Sequence, residues 1–390
     1  MNAMLEFLDY RLNLTTLILV ICTSISIMFQ LIYYITCLYN FKKKEHKQVT
    51  KLPIQGVSVV LVTNNNAEAL KQSLLQILEQ DYPSFEVVVV NENSTDDTEF
   101  VLYVLKNNYP NLTVINLGKN DNNFDSYKFS LAIGIRSAKY SYCLLTDVSC
   151  IPQSYNWINR MMRVVNEDLD KKIVTGIVQR EMSKSSLLNA IIKYDEVRDC
   201  INLIGYTNLG NAYTSCGMNM IYEKNFFISK GGFIDQYSRS CKQEDYFVHR
   251  YADKLNTSTV PVKDAKLLLP AIDSFQTFCR IKFATSLSHK VLAIKDKILL
   301  ALNPFMSFLF YILMSLLLFF AFPWQYILFF IVVKWILDII VAKQCMNKLD
   351  VKKIYWVSPL LEIFFFFFNF IIRIRVLFYR KKEKKIRWNK

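Results

Sequence analysis

The sequence predicts an α/β domain, with a mainly parallel sheet covered by helices, flanked by transmembrane helices at both ends of the chain. Uncharged stretches longer than the roughly 20 residues that span a bilayer occur near both termini. Between them, short β-branched runs alternate with amphipathic segments. The composition agrees with this layout. Of the 390 residues, 52% are hydrophobic, too many for an ordinary soluble domain, and 21% are charged, too many for a protein made only of membrane helices.

The first uncharged stretch, residues 12–41, predicts a transmembrane helix. A cleaved secretory signal is the alternative interpretation. However, the stretch is longer than the roughly 7–15 residues of a signal's apolar core, and it lacks a persuasive small-residue cleavage site. We therefore expect residues 1–50 to be a membrane anchor followed by a basic linker. The positive-inside rule predicts a cytosolic location for the next domain, because four lysines follow the helix: Lys42, Lys43, Lys44 and Lys47.

Cysteine, histidine and charge usage exclude several classes of protein. The nine cysteines are odd in number and include no C-x-x-C pair, which argues against a disulfide framework or a zinc ribbon and favours a reducing compartment. Three histidines without H-E-x-x-H spacing argue against a zinc hydrolase. The net charge of +14 is concentrated beside the apolar segments, so it predicts contact with anionic lipid and not with nucleic acid.

The second uncharged stretch, residues 298–333, is too long for one crossing and contains Pro323 flanked by aromatic residues. It predicts a transmembrane helical hairpin over residues 298–342, with the turn at the proline. Lys334 and Asp338 lie one turn apart on the second helix. An internal ion pair between them is the favoured interpretation, and an ion pathway is the alternative.

The last part of the chain, residues 343–390, combines a basic loop, an apolar segment at 354–378 and a basic tail. A full crossing would export the basic tail against the positive-inside rule, so the segment is either spanning or re-entrant. Before the hairpin, residues 274–297 interleave lysine and arginine with apolar residues. This pattern predicts a basic amphipathic helix in the lipid headgroup layer, with snorkelling lysines.

The middle of the chain, residues 51–273, has the pattern of a sheet with both faces covered. Its apolar runs are continuous, as in parallel strands that are buried on both sides. Strands are predicted at 57–62, 85–90, 112–115 and 142–146, and helices at 67–80, 96–106 and 126–138. No G-x-G-x-x-G follows the first strand and no P-loop motif occurs, so dehydrogenases and P-loop NTPases are poor candidates.

Polar residues follow three of these predicted strands. They occupy positions 63–66 after the first strand, 91–96 after the second and Asp147 after the fourth. Each cluster alone is typical of turns and helix caps. Because the carboxyl ends of parallel strands meet at one edge, where ligands bind in such folds, the three clusters together predict a ligand site.

At this point the chain resembles the family 2 glycosyltransferases, in particular membrane-anchored bacterial members with a GT-A nucleotide-diphospho-sugar domain. The resemblance covers about residues 52–290 and keeps the order of the family's motifs. The matching segments are VSVVLVTNNNAEAL at 57–70, ILEQDYPSFEVVVVNENSTDDT at 77–98, SLAIGIRSAKYSYCLLTDVSCIP at 130–152, KGGF at 230–233 and QEDYFVHR at 243–250. Location in the bacterial inner membrane follows from the resemblance.

The resemblance implies an inverting transfer from a nucleotide-diphospho-sugar to a membrane-associated acceptor, such as a lipid-linked one or an envelope glycan. Asp245, next to Glu244, matches the catalytic base, although an acid in the first turn of a helix is also favoured by the helix dipole. Asp147 matches the first acid of the D-x-D motif that holds Mg²⁺ or Mn²⁺. The donor-binding positions are Thr63, Asn65, Glu92, Lys128, Asp147, Arg280 and Lys282.

The chain also departs from the family pattern within one pocket. Its D-x-D motif reads Asp147-Val148-Ser149, and a hydroxyl at Ser149 is a far weaker metal ligand than a carboxylate. The Q-x-x-R-W-like segment near the membrane is degraded at 274–285, where Arg280 and Lys282 remain. These departures leave an alternative function open: a catalytically impaired scaffold in a membrane assembly complex.

Overall fold

The computed structural model of the protein describes residues 14–42, 54–118, 126–212, 215–236, 243–289, 292–351 and 354–388. Its helices are α1 Leu14–Lys42, α2 Ala67–Leu78, α3 Thr98–Asn108, α4 Ser126–Ser137, α5 Trp157–Glu167, α6 Ser186–Asn208, α7 Lys224–Ser229, α8 Gln243–Tyr251, α9 Phe275–Ser288, α10 Ile294–Phe319, α11 Trp324–Lys348 and α12 Ser358–Trp388. Its strands are β1 Val57–Thr63, β2 Phe85–Glu92, β3 Leu112–Leu117, β4 Tyr142–Leu145, β5 Ile151–Pro152, β6 Ile173–Thr175, β7 Val178–Arg180, β8 Met220–Glu223, β9 Thr257–Thr259 and β10 Leu267–Leu269.

The central sheet has seven strands in the order β3-β2-β1-β4-β8-β6-β9. Strands β1 to β4 are mutually parallel, and Val57 pairs with both Phe85 and Tyr142 in register. Only β8 runs antiparallel to its neighbours β4 and β6. The four strands and three helices predicted in this region are confirmed within a few residues, so the mainly parallel α/β fold is confirmed.

Both faces of the central sheet are covered by helices. Alternate residues of β1 point to opposite faces, as in any strand. Val59 packs with residues of α2 and α5 on one face, whereas Val60 packs with residues of α4 on the other. All seven β1 residues are buried, which explains why apolar residues occupy both faces of the strand. The buried hydroxyl of Ser58 is satisfied by a hydrogen bond of 2.6 Å to Glu86. A second sheet, β5-β10-β7, joins the first core cluster through Leu267.

Among the residues that the structure describes, three helices are long and apolar enough to cross a membrane, over Leu14–Thr36, Ile294–Phe319 and Trp324–Lys348. They confirm apolar helices at both ends of the chain. Pro323 lies directly before α11 and ends the turn of the hairpin, as its sequence position predicts. Helix α1 packs along α10, and the Ser26 hydroxyl donates a hydrogen bond of 2.7 Å to the carbonyl of Met306.

The basic segment predicted as one helix over residues 274–297 is divided in the structure. Helix α9 ends at Ser288, and α10 begins at Ile294. The backbone N–H of Ala293 donates 3.1 Å to Nε2 of His249, which lies on α8 of the α/β domain. This contact fixes the start of α10, and no local sequence pattern encodes it. The apolar segment 354–378 lies within α12 from residue 358 onward. Helix α12 packs along α9 and is not among the candidate spans of the described residues.

The α/β domain is attached directly to the end of the membrane hairpin. Lys266, on the second sheet, donates 3.0 Å to the carbonyl of Leu349, just after α11. Gln179 donates 3.1 Å to the same carbonyl, and Lys263 forms an exposed ion pair with Asp350 at 2.9 Å. The carboxyl end of α11 therefore lies against the α/β domain, and the Pro323 turn lies at the other end of the hairpin.

Candidate active site

The loops after β1 and β2 are tied together by Asn65. This residue adopts the left-handed conformation with φ 51°, which asparagine tolerates better than most residues. Its Oδ1 accepts a hydrogen bond of 2.7 Å from the backbone N–H of Thr95, and its own N–H donates 3.0 Å to the Ser94 hydroxyl. The predicted donor-binding residue Asn65 thus holds the two loops at one sheet edge.

Asp96 caps two helices at the same edge. Its carboxylate accepts hydrogen bonds from the backbone N–H groups of Ala67 at 3.2 Å and Thr98 at 3.1 Å, at the starts of α2 and α3. The Thr98 side chain and these N–H groups lower the pKa of Asp96, because they favour the ionised form. The turn-and-cap interpretation therefore applies to Asp96.

Glu92 lies at the end of β2, at the acidic position that the sequence predicted. Two hydroxyl groups from α4, Ser126 and Ser130, each donate a hydrogen bond of 2.6 Å to its Oε1. The two serines are four residues apart and so lie on one face of the helix. They were not among the predicted site residues, and their spacing is the only sequence signal that could have identified them. Lys128, on the same helix, is buried.

Two threonines end adjacent strands at this edge. The hydroxyls of Thr63, the last residue of β1, and Thr146, directly after β4, are buried and have no hydrogen-bond partner within the described residues. Buried polar groups are nearly always paired, so these hydroxyls are suited to meet a polar ligand. Thr63 was predicted as a site residue from the first loop. Thr146 was missed, because a threonine at a strand end carries no distinctive signal.

The turn after β4 carries Asp147 and Ser149. Both the N–H and the hydroxyl of Ser149 donate to Oδ1 of Asp147, at 2.9 and 2.5 Å. The described residues contain no group of three or more His, Cys, Asp or Glu that could hold a metal ion. Oδ2 of Asp147 has no hydrogen bond within the described part of the chain, so the residues fit a metal held by one carboxylate oxygen together with substrate phosphates and water.

Helix α8 carries the predicted base. Asp245 is its third residue, and Phe247 anchors the helix against Tyr222 of β8, with ring centroids 4.9 Å apart. The side chains of residues 243–245, including Glu244, lie outside the described ones. The helix-start placement of Asp245 agrees with the sequence, and its catalytic role stays a prediction.

The two cations of α9 differ in their surroundings. Arg280 is exposed, whereas the ammonium of Lys282 contacts Asp195 at 2.8 Å and Asp199 at 3.2 Å, both on α6. Burial alone would lower the pKa of Lys282, but attraction to the two carboxylates outweighs it and raises the pKa. The charge of Lys282 is therefore already compensated inside the protein, which the sequence did not indicate.

Asn219 joins the two sheets behind the site. It is fully buried, accepts a hydrogen bond of 3.1 Å from the indole of Trp157 and donates to the carbonyls of Ile177 and Ala265 at 2.9 and 2.8 Å. A side chain on Gly176 would approach Asn219 to 2.5 Å, so glycine is required there. Asn219 thereby sets the position of the second sheet relative to the first.

Comparisons with known proteins agree with this geometry. Residues 58–233 match the model of the family described as Glycosyl transferase family 2. The mannosyltransferase PcManGT from Pyrobaculum calidifontis, solved with GDP-Man and Mn²⁺, is 15% identical with a TM-score of 0.55, over 88% of this chain and 97% of that one. TarS from S. aureus is 16% identical with a TM-score of 0.40, over 64% of this chain and 42% of that one. No curated protein matches the sequence.

The matched residues contain most of the site. They include β1 to β4, the loop held by Asn65, the serine-bound Glu92 and the Asp147-Ser149 turn. The likeness to PcManGT extends the same α/β fold over most of the chain. We conclude that residues 58–233 are similar to the family 2 glycosyltransferases, and that the chain shares its fold with a mannosyltransferase, in agreement with the architecture that its motifs predict.

Proposed function

We propose that the protein is a membrane-anchored inverting glycosyltransferase that moves a hexose from a nucleotide-diphospho-sugar to a membrane-associated acceptor. The observation that carries the proposal is the carboxyl edge of the central sheet. Glu92 ends β2 and Asp147 follows β4 at this edge, where ligands bind in folds with parallel strands. A lipid-linked or envelope glycan acceptor is consistent with the three apolar helices and with the attachment of the domain to the hairpin end.

The donor is proposed to lie across the loops after β1, β2 and β4. Glu92, oriented by Ser126 and Ser130, accepts hydrogen bonds from the nucleoside, and Thr63 and Asn65 line the first loop. Lys128 and the exposed Arg280 are proposed to interact with the diphosphate. Lys282 contributes indirectly, because its ammonium is paired with Asp195.

Transfer is proposed to proceed by a single displacement. The Asp245 carboxylate, flanked by Glu244, takes the proton of an acceptor hydroxyl, and the hydroxyl oxygen forms a bond to the anomeric carbon. The bond from that carbon to the phosphate oxygen breaks, and the nucleoside diphosphate leaves with the electron pair. A Mg²⁺ or Mn²⁺ ion would stabilise the negative charge of the leaving diphosphate, held through Asp147.

The proposed location is the bacterial inner membrane, with the domain on the cytosolic side. The ends of α1 and α11 that carry lysines, Lys42 and Lys348, are the carboxyl ends, and the end of α11 contacts the α/β domain. Positive charge is retained on the cytosolic side of membrane proteins. The basic helix α9 would then lie near anionic lipid headgroups.

The experiment is calorimetric titration of the full chain in detergent with UDP, GDP and their sugar derivatives, with and without Mn²⁺. We expect metal-dependent binding that is lost in Asp147→Ala and kept in Asp170→Ala, because Asp170 precedes β6 at the opposite edge of the sheet. Asp245→Asn is expected to bind the donor normally but to lose sugar transfer. Wild-type turnover by Asp245→Asn would reject the assigned base.

A second candidate function is a catalytically impaired scaffold in a membrane assembly complex. The observation that favours it is the Ser149 hydroxyl, which replaces a possible metal-binding carboxylate and donates to Asp147. The same titration separates the two functions. If a folded sample binds no nucleotide with any metal, the scaffold is supported and the enzyme is rejected.

A further inference from the structure

A cavity of about 400 Å³ lies between helix α6 of the α/β domain and the apolar helices at the two ends of the chain. Its walls come from α1, α6, α10, α11 and α12, and none of the proposed donor-binding residues lines it. This volume is within the range of about 300–1,000 Å³ that small-molecule pockets usually have. Such pockets are mostly apolar with a few charged groups that orient the ligand.

Most of the cavity wall is hydrocarbon and aromatic. Phe308 of α10 and Phe366 of α12 stack face to face, with ring centroids 3.9 Å apart, and Phe305 and Phe370 line the same space. The cavity therefore offers an apolar surface between helices to a hydrocarbon chain.

Two arginines, Arg198 of α6 and Arg373 of α12, also line the cavity. Arg198 contacts Asp195 at 3.1 Å and lies over the Phe365 ring, 4.8 Å from its centroid. Arg373 forms no ion pair with any side chain that the structure describes, and the two positive charges repel each other. A guanidinium is well suited to a phosphate, with which it forms paired hydrogen bonds.

The acidic groups in the cavity wall already have a cation. Asp338 and Glu362 both contact the ammonium of Lys334, at 2.6 and 2.7 Å. Glu362 and Arg373 are eleven residues apart on α12, which corresponds to about 16 Å along a helix. Arg373 is thus separated from the acidic end of the cavity. A ligand with one anionic head could therefore contact Arg373 without lying next to the two carboxylates.

We propose that this cavity binds a lipid with an anionic phosphate head, whose chain lies among the phenylalanine rings and whose phosphate pairs with Arg373 and Arg198. The proposal does not rest on the proposed sugar transfer, although a lipid-linked acceptor of that reaction would carry the same chemistry. The chemistry that defines the ligand is a phosphate ester joined to a long hydrocarbon chain. A single-chain lipid phosphate and an anionic diacyl phospholipid both carry it.

The test is lipid binding to the full chain in detergent, measured by native mass spectrometry with a single-chain isoprenoid phosphate as the probe. We expect the phosphate to bind and the corresponding alcohol to bind about ten- to a hundredfold more weakly, as for loss of one charge-assisted hydrogen bond. Arg373→Gln should weaken phosphate binding by a similar factor, and Arg373→Lys, which keeps the charge but not the paired hydrogen bonds of a guanidinium, should weaken it less. Competition by dipalmitoyl phosphatidate distinguishes a bilayer phospholipid from a single-chain lipid.

Two matched controls make the test specific. Arg375→Gln removes an arginine from the same helix that does not line the cavity, and it should bind the probe normally. Ala301→Phe fills the cavity and should reduce binding, whereas Leu300→Phe, at a neighbouring residue outside the cavity wall, should not. The proposal is rejected if the alcohol binds as tightly as the phosphate, or if Arg373→Gln and Ala301→Phe both bind like the wild type. Nucleotide titration of the same samples reports separately on the donor site.

Discussion

Two polar clusters of the molecule show how burial changes the role of similar groups. The loop cluster at the sheet edge, defined by Asn65, Thr95 and Asp96, is exposed to solvent. The helix cluster, defined by Lys334, Asp338 and Glu362, lies between α11 and α12, where the Lys334 side chain is 1% exposed. Both clusters are held together by hydrogen bonds, of 2.7 Å from the Thr95 N–H to Asn65 and of 2.6 Å from Lys334 to Asp338.

The difference lies in what remains when one partner is removed. In the loop cluster, water can replace a lost partner, so each contact contributes little to stability. In the helix cluster, a remaining carboxylate would be left unpaired in an apolar environment, which is far more costly. The loop cluster can therefore vary with function, whereas the helix cluster restricts how α11 and α12 pack.

The largest effect is expected for Lys334→Met. It leaves Asp338 and Glu362 facing each other without their cation, and we expect a loss of about 3–5 kcal/mol in stability. Thermal unfolding in detergent measures it. Lys343→Met, on the exposed side of the same helix, is the control and should cost less than about 1 kcal/mol. Equal melting temperatures for the two variants would contradict the distinction between buried and exposed charge.

The next effect concerns the two cations of α9. Lys282→Met leaves Asp195 buried with only Arg198 as a partner, and we expect a loss of about 2–3 kcal/mol in stability. Arg280→Met should leave the melting temperature nearly unchanged but weaken donor binding, because Arg280 is exposed. If Arg280→Met unfolds the protein while Lys282→Met does not, our assignment of their surroundings is wrong.

A smaller effect is expected in the loop cluster. Asn65→Ala loses the hydrogen bond from the Thr95 N–H. It also leaves alanine in the left-handed conformation at φ 51° without a side-chain hydrogen bond to stabilise it, so we expect a loss of about 1–2 kcal/mol in stability. Asn65→Gly also lacks the side-chain hydrogen bond, but glycine adopts the left-handed conformation without strain. Unfolding and donor titration of both variants separate the two contributions, and identical values for the wild type and Asn65→Ala would refute them.

The smallest effect is a pH dependence at Asp96. Hydrogen bonds, chiefly from the Thr98 side chain, lower its folded pKa below the ordinary value of 3.8. Its contribution to stability is therefore present above pH about 3.8 and is lost as the pH falls through the folded pKa. In Asp96→Asn, the melting temperature should fall less between pH about 5 and pH about 3 than in the wild type. Asp97→Asn, which removes a neighbouring exposed carboxylate, should keep the wild-type slope.

The sequence alone determined the elements whose signals are local. A mostly apolar run predicted β1, because a strand buried on both faces is apolar at nearly every position, and an uncharged stretch at 12–41 predicted the first apolar helix. It also placed Glu92 and Asp147 at one edge, since parallel strands end together. Each of these inferences needs only residues that are close in sequence and the regular geometry of a strand or a helix.

Only the tertiary structure decided which distant groups meet. The pairing of Lys282 with Asp195 joins residues 87 positions apart, and the contact of His249 with Ala293 divides a segment that the sequence treats as one helix. Glu92 is oriented by serines of a later helix for the same reason. Charge and hydropathy patterns indicate that a group is polar. The packing of separate elements decides which partner that group has, and the partner in turn sets its pKa and the cost of its burial.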